Sequence, residues 1–235
     1  MPGRGPLGPD EQLSPSTHGA YGPYGLGVST DPLSPARLSA DAEARIHKEI
    51  ARASPELMEQ MARGWARLEP YAELFARMDE EHGFPPGFTR AVSTKETLGR
   101  ADILSGEVRS SAGAAGIMQL MPATARELGL RVDDEIDERL DPAKAIPAGA
   151  TYLARMGAAK PGESALPIAL AKYNYGPGNY WKWAQRKKGM PRETREYMGA
   201  VMDARKAFHQ PAAAVAAEAD SGEPAADRPR TGPPR

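Results

Sequence analysis

The chain has 235 residues and a formal net charge of −1, with 30 Lys plus Arg against 31 Asp plus Glu. That length suits one sizeable domain with tails or two small ones, and the balanced charge offers no broad basic field for nucleic acid. Cysteine is absent, which excludes disulfides and cysteine chemistry, and the four histidines are too scattered to predict a zinc site, so no cofactor or metal is expected.

Residues 1–39 are rich in Pro, Gly and Ser and poor in branched apolar side chains. Such a segment buries too little surface to offset its ordering entropy, so it reads as a disordered tail. It has no apolar stretch behind Arg4, hence no secretory signal as written, and no apolar run in the chain approaches membrane-span length. Helical patterning starts near Ala40 with Ile46 and Ile50. Ser54-Pro55 is an N-cap followed by proline, and Leu57, Met61, Trp65 and Leu68 form the next apolar stripe, continued by Tyr71, Leu74, Phe75 and Met78. Residues 40–83 are therefore expected to be a helical extension that packs on the unit formed by residues 84–209.

Pro85 and Pro86 predict a helix start, and Phe88, Val92 and Glu96 then recur every four residues on one face. A carboxyl carried on an apolar face is expected to have a raised pKa, as a general acid working near neutral pH requires. The alternative is a Glu that points to solvent. Downstream, Ser110 to Gly116 is a run of small residues whose backbone can approach a partner closely, and a small strand element is expected within 107–118.

Pro122 opens a short helix ending near Gly129, and Asp141-Pro142 repeats the cap-plus-proline signal. Ile146, Ala150 and Leu153 mark the buried face of that helix, where Gly149, at a propensity cost of about 1 kcal/mol, predicts a close contact with another helix. Pro161-Gly162 reads as a turn. Ala165 to Tyr173 is almost wholly apolar, as expected of a helix surrounded by protein, and it stops at Asn174-Tyr175-Gly176-Pro177-Gly178. Tyr180 to Trp183 and the basic run Arg186 to Lys188 come next, then a last helix with Thr194 as cap and Tyr197, Val201 and Met202 along it. Residues 210–235 again have a disordered composition. The fold expected is mainly α, a helical globular domain with at most a small strand element, and its principal unit spans 84–209.

Three segments stand out: Glu96 with its small-residue loop, Tyr173-Asn174-Tyr175-Gly176-Pro177-Gly178, and Glu193-Thr194-Arg195-Glu196-Tyr197. Between them lie Met121-Pro122-Ala123-Thr124-Ala125, Asp141-Pro142 and Gly149-Ala150-Thr151-Tyr152-Leu153. In this order the segments resemble the soluble lytic transglycosylase catalytic domain of the goose-type lysozyme-like superfamily, with Glu96-Thr97 standing for Glu-Ser and SSAGAAGIMQ (110–119) for the family loop. The connector from Glu96 to Ser110 looks longer than the family's, which would reshape the groove or bring Asp102 or Glu107 to the site.

The resemblance implies an α+β lysozyme-like fold and cleavage of the β-1,4 bond between N-acetylmuramic acid and N-acetylglucosamine. Glu96 would act first as acid and then as base, leaving a 1,6-anhydromuramyl end. It also implies that Ser110, Met118, Gln119, Tyr173, Asn174 and Tyr197 bind substrate. Ile117 would join them in the groove, and Tyr175, Tyr180, Trp181 and Trp183 are candidate sugar-stacking aromatics, with packing as the alternative. The implied partner is the peptidoglycan glycan strand, with virion or secretion-apparatus partners conceivable through the tails. Hydrolysis on the same fold, and a glycan-binding module without catalysis, are the competing readings. The implied place of action is the cell wall, reached from the periplasm or by virion delivery, with the export route left open by the sequence.

Overall fold

The computed structural model describes residues 35–158 and 163–209. Of the tails expected over 1–39 and 210–235, residues 1–34 and 210–235 lie outside the described residues, as does the turn expected at Pro161-Gly162; residues 35–39 belong to α1. Ten α-helices build the described part: α1 (Pro35–Glu49), α2 (Pro55–Arg67), α3 (Ala72–His82), α4 (Phe88–Thr97), α5 (Ala101–Leu104), α6 (Pro122–Glu127), α7 (Pro142–Met156), α8 (Leu166–Tyr175), α9 (Pro177–Ala184) and α10 (Arg192–Phe208). Among the described residues none is long and apolar enough to cross a membrane. The strand element expected within 107–118 reduces, among the described residues, to one isolated bridge, Ala115 with Leu120, and a second bridge joins Val132 with Asp137.

Local chemistry sets most of the boundaries. Ser54 caps α2 by accepting the Leu57 amide at 3.2 Å, and Asp141 caps α7 through the Ala143 amide at 2.9 Å, each followed by proline in the first turn. Three starts differ from expectation. Helix α1 begins at Pro35 rather than near Ala40. Helix α4 begins at Phe88, because Gly87 takes a left-handed conformation (φ 80°) and Pro85 is spent on the turn closed by the Phe88 amide at 3.2 Å. Pro191, not Thr194, occupies the N-cap of α10, and Thr194 is buried in its first turn.

Helix α4 is the centre of the packing, lying against α2, α3 and α10. Phe88 and Val92 are fully buried, worth roughly 1.5–3 kcal/mol each. Thr89, Arg90, Ser93, Thr94 and Thr97 are buried too, and each has found a partner. Ser93 donates to the Ile117 carbonyl at 2.9 Å, while Thr94 and Thr97 donate back to the carbonyls of Arg90 and Ser93. Arg90 donates to the Trp65 carbonyl and pairs with Glu69. The N-terminus of α4 is capped from outside the helix. Asp79 on α3, buried, accepts the Thr89 amide at 2.9 Å and the Thr89 hydroxyl at 2.6 Å.

Helix α8 is buried from Leu166 to Ala171 and packs against α1, α7, α9 and α10, the surrounded position its composition predicts. The close contact predicted at Gly149 is present, but its partner is a loop side chain rather than a helix. A β-carbon there would lie 2.6 Å from Cε of Met118.

Candidate active site

Glu96 sits in the last turn of α4, where the helix dipole disfavours a negative charge. Part of its side chain remains open, while its carboxyl is enclosed by neighbouring protein. Burial raises its pKa from the ordinary 4.5 to about 7. The Tyr197 hydroxyl donates to Glu96 Oε1 at 2.6 Å, and that bond together with the charge of Lys95 offsets part of the rise; the charge of Glu193 adds to it. Lys95 also places its ammonium 5.3 Å from the centre of the Tyr197 ring.

Tyr197 reaches Glu96 because α10 packs along α4, with Tyr197 on its buried face beside Met198 and Val201. Tyr173, near the end of α8, belongs to the same electrostatic group: burial and the charge of Glu96 both push its hydroxyl well above the usual tyrosine range. Its hydroxyl donates to the Met118 carbonyl at 2.7 Å, and its ring lies 5.3 Å from that of Tyr152. Asn174 follows it, half-buried, in the last turn of α8.

The loop 110–120 forms the neighbouring wall, pinned by side chains that take its carbonyls. Ser93 holds Ile117, Tyr173 holds Met118, and the Gln119 amide holds Gly116 at 2.9 Å. Gln119 itself is half-buried with a positive φ of 46°, a conformation costly for a residue other than glycine. Ser110 is exposed and accepts the Ala114 amide at 2.8 Å, which closes the turn.

Several expected substrate contacts need correction. Met118 and Ile117 are core residues, 0% and 1% exposed, because Met118 fills the space above Gly149. Their backbone carbonyls, not their side chains, bear on the site. Tyr180 is 1% exposed and packs against Trp181 and Trp183, so it offers no open face for sugar stacking. Trp183 is buried as well, under the Arg45 guanidinium at 4.4 Å. Trp181 stays partly open, and Tyr175 is half-buried with its hydroxyl on the Gly189 carbonyl and Lys188 over its ring.

Nor do the connector carboxylates act as expected of a second catalytic group. Asp102 is held in an ion pair with Arg100, mainly through their hydrogen bonds, which keep it below the usual carboxylate range. Glu107 is exposed. The carboxylate whose charge does register at Glu96 is Glu193, to which the sequence alone assigns no role. Its spacing, one helical turn before Tyr197, is the signal that would have found it.

The family profile of the transglycosylase SLT domain matches residues 73–195, from the start of α3 into α10, and so takes in Glu96 and the loop. The chain belongs to the transglycosylase SLT domain family. Over 136 residues, 56% of its length, this SLT-domain chain is 29% identical to the membrane-bound lytic murein transglycosylase F 2 of Alkalilimnicola ehrlichii. The match spans 28% of that relative's own length.

Proposed function

We propose that this chain is a peptidoglycan lytic transglycosylase, in which Glu96 serves as acid and then as base. The observation that carries the reading is the enclosed Glu96 carboxyl, with a pKa of about 7, held by the Tyr197 hydroxyl. A carboxyl titrating near 7 is protonated often enough to donate and, once ionised, basic enough to accept, as one group working in both directions requires.

In the first step Glu96 gives its proton to the glycosidic oxygen as the bond to C1 of the muramyl residue breaks. Positive charge develops at C1, opposite the carboxylate just formed. In the second step Glu96 takes the proton of the muramyl C6 hydroxyl, and that oxygen closes on C1. Atoms balance without water, and the nucleophile is already tethered to the sugar, so no second carboxylate is needed to activate one. Tyr197 would hold the carboxyl aligned through both steps. Tyr173 would set the height of the groove wall through the Met118 carbonyl, while Asn174, Gln119, Ser110 and Trp181 are the polar and aromatic groups left to meet the glycan.

Hydrolysis is the second reading, favoured by the presence of Glu193 within electrostatic reach of Glu96, where a carboxylate could activate water. Mass spectrometry of the released muropeptides separates the two. Lytic transglycosylation gives anhydro ends, each lighter by one water than the reducing ends that hydrolysis leaves. For either reading, Glu96→Gln is expected to abolish release while the chain stays folded, and near-wild-type release by that variant would sink both.

A further inference from the structure

We propose that Asp137 and Arg139 form a clamp that positions the groove-wall loop 110–120, and through it sets how tightly the site holds glycan; this rests on the proposed glycan-cleaving function. The side-chain hydrogen bonds of both residues go to the loop, to Arg109 and to each other rather than to Glu96, so both are positioning residues.

The geometry is specific. Arg139 is 3% exposed, although it lies in the strongly charged stretch VDDEIDER. Its Nε and Nη2 form a fork on the two Asp137 oxygens, each at 2.8 Å. Its Nη1 donates to the Gly113 carbonyl at 2.8 Å and the Leu120 carbonyl at 2.9 Å, one near each end of the loop. Only guanidinium offers this many donors in one plane; an ammonium cannot reach both the carboxylate and the two carbonyls from one point. The backbone fits with equal closeness, since a β-carbon on Gly116 (φ 75°) would fall 1.8 Å from the Arg139 carbonyl oxygen. Here the small-residue run meets its close partner, and that partner is this clamp.

Asp137 carries a second cation. Arg109, at the end of the connector, reaches the same carboxylate at 2.7 Å, so residues 109, 113 and 120 are tied to one ion pair. Ser93 and Tyr173, from α4 and α8, hold the carbonyls of 117 and 118. The loop is thus gripped by two separate sets of side chains. The grip of Ser93 and Tyr173 is tied to helices at the acid, and that of Asp137 and Arg139 is not. Loosening the clamp should therefore cost affinity for glycan and leave the chemistry of Glu96 alone.

The test compares Arg139→Lys and Arg109→Met in the full chain. Binding of soluble, uncross-linked glycan strands is measured in the Glu96→Gln background, so that nothing is cut. The dissociation constant is expected to rise about tenfold for Arg139→Lys and about threefold for Arg109→Met, with amide exchange over 114–120 faster in both. In the Glu96-containing enzymes KM should rise with kcat and the pH midpoint of the Glu96 limb unchanged, because Tyr197 still holds the acid. Unchanged affinity in folded Arg139→Lys, or a fall in kcat at constant KM, overturns the proposal. If Arg139→Lys does not fold, Arg109→Met decides, since it touches the same carboxylate from the surface: wild-type exchange and affinity there overturn the clamp, and their loss supports it. Failure of the wild-type chain to bind or cut glycan would refute the function, while loop exchange would still report on the clamp.

Discussion

Replacing Glu96 by Gln should make the fold more stable than the wild type above neutral pH and no more stable in acid. The wild-type carboxyl ionises near 4.5 in the unfolded chain but near 7 in the folded one. The folded state therefore holds its proton longer. The stability associated with protonated Glu96 is fully present below about pH 4.5, and it is lost as pH rises through 7. At about 1.4 kcal/mol per tenfold change in proton affinity, the wild type loses about 3 kcal/mol across that window. Gln is a neutral isostere of the protonated acid and keeps an oxygen to accept from Tyr197, so it carries no such loss. Urea unfolding of both proteins at intervals from pH 4 to 8 gives the difference directly. A gap that opens between pH 4.5 and 7 and then levels off supports the argument. A gap that stays flat across the window refutes the raised pKa, and with it the reading of Glu96 as an acid and base poised near neutrality.

Two further changes test neighbouring parts of the site. Tyr197→Phe removes the hydrogen bond that favours the ionised form of Glu96, so the pH midpoint of that limb should move upward and kcat should fall about 10- to 100-fold, as read from a pH–rate profile. Gly149→Ala places a carbon against the Met118 side chain and should cost about 1–3 kcal/mol in thermal or urea unfolding, because Met118 is fully buried and its Cγ and Cβ, not only its flexible end, would lie 2.7 and 3.0 Å from that carbon.

Much of this architecture is legible in the sequence because it depends on short-range rules. The caps at Ser54 and Asp141 are local chemistry, and the four-residue spacing of Phe88, Val92 and Glu96 places the acid on the right side of its helix. What the sequence conceals is decided by packing between distant segments. Ile117 and Met118 sit in a loop expected to line a groove, and only the notch at Gly149 shows why the methionine turns inward. Tyr180 and Trp181 are adjacent aromatics of similar character, yet one is core and the other partly open, because α9 has one side against α1 and α8. Arg139 reads as a surface charge within VDDEIDER, and its burial depends on carbonyls that are supplied by residues 113 and 120. Asp79 likewise gives no sign in sequence that it caps a helix other than its own.

The bond between Tyr197 and Glu96 joins residues 101 positions apart in the chain. A ribosome delivers the acid long before it delivers the residue that steadies it, and α10 must dock along α4 before the pair exists. Until then Glu96 stands without its holder, so the Tyr197–Glu96 bond is itself a report that α10 has docked.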